Sequence, residues 1–359
     1  MGKVLMKGNE AIGEAAIRAG CLNYFAYPIT PQTEVAEYLA RRLPEVGGVF
    51  LQGESEVAVS YMLFGASACG ARVFTTSSSP GISLMSEGLS YMTAGQCPVV
   101  LVNIMRGGPG LGGILPSQGD YFQATKGGGH GDYHLLVMAP ASVQEAVEMV
   151  MQAFSLAEKY RNPVMILGDG LIGQMMEPVE FPEEYKVEAS NKDAWATNGM
   201  GTRKSRTRNL VKTLYLDPDE LNNHNLLLKS KYDRMKQEEV RFETYNTDTD
   251  YSALIVSYGT MSRVCITAID NLKADGLEVG LLRPQTLFPF PEKGVYTAAA
   301  GKNCKVVISV EMSMGQMVED VERCVKGQCP VEWYGKCGGD VPTPEEIMDV
   351  VRAKLKQSS

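Results

Sequence analysis

Residues 71–105 read "ARVFTTSSSPGISLMSEGLSYMTAGQCPVVLVNIM". An apolar, β-branched run passes through a Ser-, Pro- and Gly-bearing turn into a helical stretch, and a second apolar run follows. Strands that alternate with helices and are apolar throughout belong to a parallel sheet covered on both faces. The same alternation extends in both directions. Upstream lie the helical patterns "EAIGEAAIRAG" at 10–20, "TPQTEVAEYLARRL" at 30–43 and "SEVAVSYMLFGASACG" at 55–70, with strand-like "CLNYFA" at 21–26 and "GVFLQ" at 48–52. Downstream come "HLLVMAP", the long helix "SVQEAVEMVMQAFSLAEKY" and "NPVMILG". The expected fold is α/β, and its first unit covers residues 1–180.

Residues 181–250 change character. They are polar and charged, with a basic cluster "TRKSRTR" at 202–208 and a candidate helix "LLLKSKYDRMKQEEVRFE" at 226–243. They read as a linker or surface excursion. From 251 to 359 the alternation resumes with "SALIVSYG", "MSRVCITAIDNLKAD", "LEVGLLRP", "CKVVISVEMS" and "MGQMVEDVERCVKG", a smaller α/β unit.

With 359 residues, more than one core is the default,. The net charge of −8 argues against nucleic acid or an anionic membrane as main partner,. The opening "MGKVLMKGNE" lacks the apolar core of a secretory signal, and no run is long and apolar enough to span a bilayer, so a cytoplasmic location is expected,. The 8 cysteines are scattered and form no C-x-x-C, so neither a zinc site nor an iron–sulfur cluster is expected in this chain,.

In a parallel sheet, ligands bind beyond the carboxyl ends of the strands. The loops there carry "YPITP" at 27–31, "GESE" at 53–56, "TTSSSPG" at 75–81 and "RGGPGLGG" at 106–113. Two prolines stiffen the first and bias Tyr27 and Thr30 toward extended geometry. Thr30 fits either of two roles, N-cap of a helix with Pro31 at its first position, or a hydroxyl mounted for a ligand. Glu54 and Glu56 open a helix, where acids answer its dipole, and Ser55 is a third candidate for the cap. Arg106 ends a strand and is suited to fork a carboxylate. The glycines at 108, 110 and 113 match G-x-G-x-x-G formally, but Pro116 spoils the helix a dinucleotide site needs,. His130, His134 and His224 show no metal spacing.

At "YPITP", at 54–87, at "MRGGPG" (105–110), at "SQGDYFQA" (117–124), at "LRPQTLFPFP" (282–291) and at "VVISVEMSMGQM" (306–317), the chain resembles the alpha subunit of the 2-oxoacid:ferredoxin oxidoreductases. Within that family it is most similar to subunits acting on branched-chain 2-oxoacids such as 3-methyl-2-oxobutanoate. The resemblance implies a thiamine-diphosphate-binding-type sheet and a transketolase C-terminal-like second unit. It also implies oxidative decarboxylation to an acyl-CoA, CO₂ release and reduction of ferredoxin. This chain would hold the aminopyrimidine ring. A beta subunit would supply the diphosphate and Mg²⁺ site and an iron–sulfur cluster, with gamma and ferredoxin-like delta subunits completing the complex. Accordingly Gly168-Asp169-Gly170, a GDG of the diphosphate-binding kind, reads here as the turn ending "PVMIL", because Asn198 downstream sits in a polar setting before Gly199.

The family's catalytic Glu carries over to Glu56, because its helix has a small residue, Gly65, where the register from Glu54 would give Leu63. Glu54 stands where relatives often carry Gln, and could tune Glu56. By the same match Glu56 binds the cofactor pyrimidine and favours the tautomer that deprotonates the thiazolium carbon. Pro28 lies against that ring, Thr30 and Arg106 bind the substrate carboxylate, and Gln118 and Asp120 help close the pocket. Three rivals stand beside this reading. One is a 2-oxoglutarate- or pyruvate-specific member of the family. Another is a thiamine-fold subunit for decarboxylation or ketol transfer without redox chemistry. The third is a non-catalytic scaffold, which the joint presence of Thr30, Glu56 and Arg106 disfavours.

Overall fold

The computed structural model describes residues 2–183, 185, 191–199 and 208–357. A short strand β1 (Val4–Lys7) leads into α1 (Gly8–Arg18), and strands and helices then alternate. They are β2 (Asn23–Ala26), α2 (Thr33–Glu45), β3 (Val49–Gln52), α3 (Glu56–Ala68), β4 (Phe74–Ser77), α4 (Ser79–Ala94) and β5 (Val100–Met105). A short helix α5 (Tyr121–Thr125) precedes β6 (Leu136–Met138), α6 (Val143–Tyr160), β7 (Val164–Asp169), α7 (Gly170–Gln174) and β8 (Met176–Val179). The second half holds α8 (Pro218–Glu238), β9 (Phe242–Tyr245), β10 (Ala253–Val256), α9 (Gly259–Ala274), β11 (Val279–Pro284) and β12 (Thr286–Phe288). It ends with α10 (Glu292–Ala299), β13 (Val306–Glu311), α11 (Met317–Val325), β14 (Val331–Gly335) and α12 (Pro344–Gln357).

The main sheet has seven strands in the order β12-β6-β7-β5-β4-β2-β3. All pairs are parallel except β12 with β6. β5 is buried along its whole length, as a run that is apolar but for Asn103 requires,. Tyr24 of β2 and Phe74 of β4 pack ring to ring at 5.6 Å, each 1% exposed. Burying such a side chain stabilises the fold by roughly 1.5–3 kcal/mol. The helices start where their caps dictate. The Ser142 hydroxyl accepts from Glu145 N at the head of α6, and Asp217 accepts from Asp219 N and Glu220 N at the head of α8,.

The order of strands creates a crevice. From β2 the chain runs outward through α2 to β3 at the sheet edge, whereas from β4 it runs the other way through α4 to β5. Neighbouring β2 and β4 therefore part at their carboxyl ends, the point in an open α/β sheet where ligands bind.

The second sheet has five strands in the order β14-β13-β10-β11-β9, parallel except for β9 against β11. Its core is a separate apolar cluster around Ile255, Ile269, Leu281, Ile308 and Ile347. The two sheets are tied together. β12 leaves the second half of the chain to pair with β6, Thr286 opposite Met138. The Arg283 guanidinium forks the Glu145 carboxylate at 2.8 and 2.9 Å, and the Tyr121 hydroxyl donates to Asp320 at 2.6 Å.

The stretch read from sequence as a polar excursion is partly built into this frame. β9 closes the edge of the second sheet, and α8 buries Leu228, Tyr232 and Met235. α8 begins eight residues before the expected 226, because Asp217 caps it and Pro218 occupies its first turn,. Of the basic cluster at 202–208 only Arg208 lies within the described residues. β1 pairs with β8 in a small antiparallel ribbon that the sequence did not announce. Among the described residues no helix is long and apolar enough to cross a membrane.

Candidate active site

The loops singled out at the sheet edge follow β2, β3, β4 and β5, which are consecutive in the sheet. The "YPITP" loop is fixed through its carbonyls. Gln32 Nε2 donates to Tyr27 O at 3.4 Å, Arg106 Nη1 to Thr30 O at 2.9 Å, and Asn9 Nδ2 and Gln174 Nε2 to Pro31 O at 2.8 and 3.1 Å. The Thr30–Pro31 peptide is cis. Helix α2 starts only at Thr33, after Gln32. Thr30 is therefore not its N-cap, nor Pro31 its first residue. With the backbone spoken for, the Pro28 and Thr30 side chains stand exposed at the crevice.

At α3 the Ser55 hydroxyl takes the cap, accepting from Ala58 N at 3.2 Å. Glu56 is the first helical residue and is 5% exposed, whereas Glu54 is exposed to solvent. Helix α3 thus turns one acid inward and leaves the other outside. Among the described residues no hydrogen bond engages the Glu56 carboxylate. It lies against the start of α4. A Cβ on Gly81 would come 2.7 Å from Glu56 Oε1 and 2.1 Å from Ser77 Oγ, so only glycine fits,. The hydroxyls of Thr75, Ser77 and Ser78 are buried without a partner. Buried polar groups are nearly always bonded, so a cluster of orphans beside an unbonded carboxylate marks a place for a ligand.

Arg106 is 7% exposed. Besides Thr30 O, its guanidinium reaches Leu111 O at 3.1 Å, and its Nε is buried without a partner. It clamps the Thr30 loop to the glycine loop and keeps one donor in reserve. Behind it, Asp120 Oδ2 accepts from the Ser79 hydroxyl at 2.6 Å and from Asn103 Nδ2 at 2.9 Å, while Ser79 Oγ accepts from Arg106 N at 3.0 Å. Burial pushes the Asp120 carboxyl above its ordinary range, partly offset by the Ser79 and Asn103 bonds,. Asp120 thus supports the strand end that carries Arg106.

Gln118 corrects the sequence expectation. It is fully buried, its Nε2 donates to Tyr258 O at 2.9 Å, and its Oε1 accepts from Met312 N at 2.9 Å. Each end of the amide is bonded to the second sheet's loops and the side chain is shut away from solvent, so Gln118 serves as a tie between the two halves. Asp169 of the GDG caps α7, accepting from Leu171 N and Ile172 N, as a turn at the end of β7 would require. His134 stacks on Phe288 at 4.1 Å, and among the described residues no three His, Cys, Asp or Glu side chains gather to hold a metal ion.

The residues missed from sequence are Ser77, Ser78 and Gly81. The "TTSSSPG" run held the signal, but which hydroxyls lack partners emerges only once the strand and helix are placed.

Comparison with known proteins bears on this arrangement. Residues 14–242 match the family described as pyruvate flavodoxin/ferredoxin oxidoreductase, thiamine diphosphate-binding, and residues 252–347 match pyruvate:ferredoxin oxidoreductase core domain II. The ketoisovalerate oxidoreductase subunits VorB of Methanothermobacter thermautotrophicus and Methanothermobacter marburgensis are each 46% identical over 359 residues, covering 100% of both chains. The 2-oxoglutarate synthase subunit KorA of Archaeoglobus fulgidus is 38% identical, over 98% of this chain and 99% of its own. Among solved structures, the 2-oxoglutarate:ferredoxin oxidoreductase from Magnetococcus marinus superposes with a TM-score of 0.85 at 29% identity. That match covers 98% of this chain, which spans 65% of the length of the Magnetococcus chain. A split-gene transketolase at TM-score 0.60 and 14% identity shares the fold. With the thiamine-type crevice, the inward acid of α3 and these full-length relatives together, the chain belongs to the pyruvate flavodoxin/ferredoxin oxidoreductase family and carries its thiamine-diphosphate-binding domain.

Proposed function

We propose that this chain is the pyrimidine-holding subunit of an enzyme that decarboxylates a branched-chain 2-oxoacid oxidatively to an acyl-CoA and passes the electrons to ferredoxin. The observation that carries the reading is Glu56, a carboxylate turned inward at the β2/β4 crevice with no hydrogen-bond partner among the described residues. The residues around it fit the aminopyrimidine part of thiamine diphosphate. Gly81 leaves flat space, Ser77 and Ser78 keep free hydroxyls, and Pro28 offers an apolar exposed face. When bound, the cofactor supplies the nucleophilic carbon and the electron sink for decarboxylation. Glu56, 5% exposed, would bond a ring nitrogen through its carboxyl,. Thr30 and the reserve Nε–H of Arg106 orient the substrate carboxylate, which a charge-assisted bond does well.

The 46% identity to ketoisovalerate oxidoreductase subunits, against 38% to a 2-oxoglutarate synthase subunit, supports the branched-chain substrate. This reading places the diphosphate, Mg²⁺ and iron–sulfur clusters in beta, gamma and delta partners, consistent with Asp169 being used as a helix cap here. The pyrimidine site belongs to residues 1–180, and the transketolase C-terminal-like unit at 251–359 braces it.

The test is co-expression with the partner subunits and viologen reduction with CoA and 3-methyl-2-oxobutanoate, 2-oxoglutarate or pyruvate in parallel. The branched-chain acid should give the highest kcat/KM. A preference for 2-oxoglutarate would overturn the substrate, and no reduction with any of them would overturn the reaction.

Two variants probe the pocket. Thr30→Val should raise the KM for the 2-oxoacid about tenfold and leave cofactor binding alone, because it removes one bond to a charged group. Gly81→Ala should cost about 100-fold or more in activity, since its methyl group would displace Glu56 and Ser77,. Its melting temperature should fall as well, because overpacking a buried site costs about 1–3 kcal/mol, more than the helix propensity of alanine returns.

A further inference from the structure

A second cavity lies at the opposite end of α4 from Glu56, about 24 Å along a helix of that length,. Its volume is about 290 Å³. It is walled by the end of α4 at Gln96, by Arg161 and Trp195, and by the segment from Arg208 to Tyr215 with His224 of α8. No acidic side chain lines it. This is unusual in a chain with a net charge of −8.

The cations there differ in how they are balanced. Lys212 is answered by Glu220 at 2.6 Å. Among the described residues Arg161 is answered by no carboxylate. Its Nε donates to Gln96 O at 3.2 Å, its guanidinium lies 4.7 Å over the Trp195 ring, and the remaining forked edge has no acceptor among the described residues. Arg208 is exposed and has no partner among the described residues. Behind Arg161, the Lys231 ammonium donates to Arg161 O at 3.0 Å. Burial and the nearby Arg161 and Arg234 charges push its pKa down to about 7,. Among the described residues no carboxylate thus balances the Arg161 and Arg208 charges.

We propose that this cavity binds a small phosphate-bearing anion, held between the Arg161 and Arg208 guanidinium groups. The two forks come from different segments, the end of α6 and the run before α8. A tetrahedral oxyanion offers an oxygen pair to each fork, whereas a planar carboxylate offers one edge. A doubly charged phosphate matches the two unanswered cations. The Asn209 amide is occupied by Asp193 O and Ala196 O, which fixes the backbone beside Arg208. Arg208 is the last residue of the basic cluster noted in the sequence at 202–208. The inference does not depend on the 2-oxoacid reading.

Calorimetric titration of the assembled enzyme tests it, with inorganic phosphate, with glycerol 3-phosphate as a phosphomonoester and with acetate as a carboxylate control. Saturable binding of phosphate or of the monoester is expected, and which binds more tightly identifies the source. Arg208→Gln, at an exposed position, should weaken binding about tenfold or more through loss of a charge-assisted fork. Its 2-oxoacid turnover should be unchanged. Arg161→Gln should do the same, with its melting curve recorded alongside. Absence of saturable binding, equal affinity for acetate, or unchanged affinity in Arg208→Gln would each overturn the proposal.

Discussion

Glu56→Gln is expected to leave the assembled enzyme intact and to remove 2-oxoacid-dependent viologen reduction, a loss of about 10²–10⁴-fold, the range typical of a positioned general acid or base. The fold does not rely on this carboxylate. Ser55 already caps α3, and among the described residues nothing is hydrogen-bonded to the Glu56 carboxylate. Loss of a negative charge in the first turn costs about 0.3–1 kcal/mol, and glutamine keeps the shape. The amide cannot exchange a proton with a ring nitrogen, so only the chemistry should fail. Glu54→Gln is the control. Its side chain is exposed, so its turnover should match the parent. Near-native activity of Glu56→Gln would remove the assignment. A dead Glu54→Gln would instead mean that the helical register points the other acid into the site.

That choice between two acids was legible only through the family resemblance, in which a small residue stands about nine positions after the catalytic Glu, as Gly65 does from Glu56. The central strands were legible from local pattern alone, since a run such as Val100–Met105 has only one stable setting, buried on both faces,. Other features depend on partners far along the chain. β12 is a three-residue strand flanked by prolines, and it exists because β6 offers an open edge. β1 and β8 pair across the whole first unit, and each is largely exposed, so neither shows a buried pattern. The start of α8 is a different case. Asp217-Pro218 is a readable cap signal, outweighed in the sequence reading by the apolar residues that begin at Leu226,. At the site, the Thr30 cap was a fair local expectation. It lost to Arg106, Asn9 and Gln174, which fix the loop from three other elements and delay the helix to Thr33.

Gln118→Leu separates a structural tie from a ligand contact at a residue whose type suggested the latter. Its partners are backbone groups of Tyr258 and Met312, which lie 140 and 194 residues away in sequence. No local pattern announces such bonds. The surroundings are built for the amide. Gly259 opens α9 with φ +58°, a left-handed conformation suited to glycine, and a Cβ there would stand 3.2 Å from Gln118 Nε2,. Leucine fills a similar volume but leaves the Tyr258 carbonyl and the Met312 N–H buried without partners. Each costs about 1–3 kcal/mol, so the variant should lose about 2–6 kcal/mol where the two halves meet. Thermal inactivation of the assembled enzyme should therefore accelerate sharply. At low temperature the surviving enzyme should keep the parent KM for the 2-oxoacid, because the side chain faces the second sheet's loops and not the crevice. A raised KM with unchanged thermal stability would return Gln118 to the substrate pocket and break the tie between the halves as described.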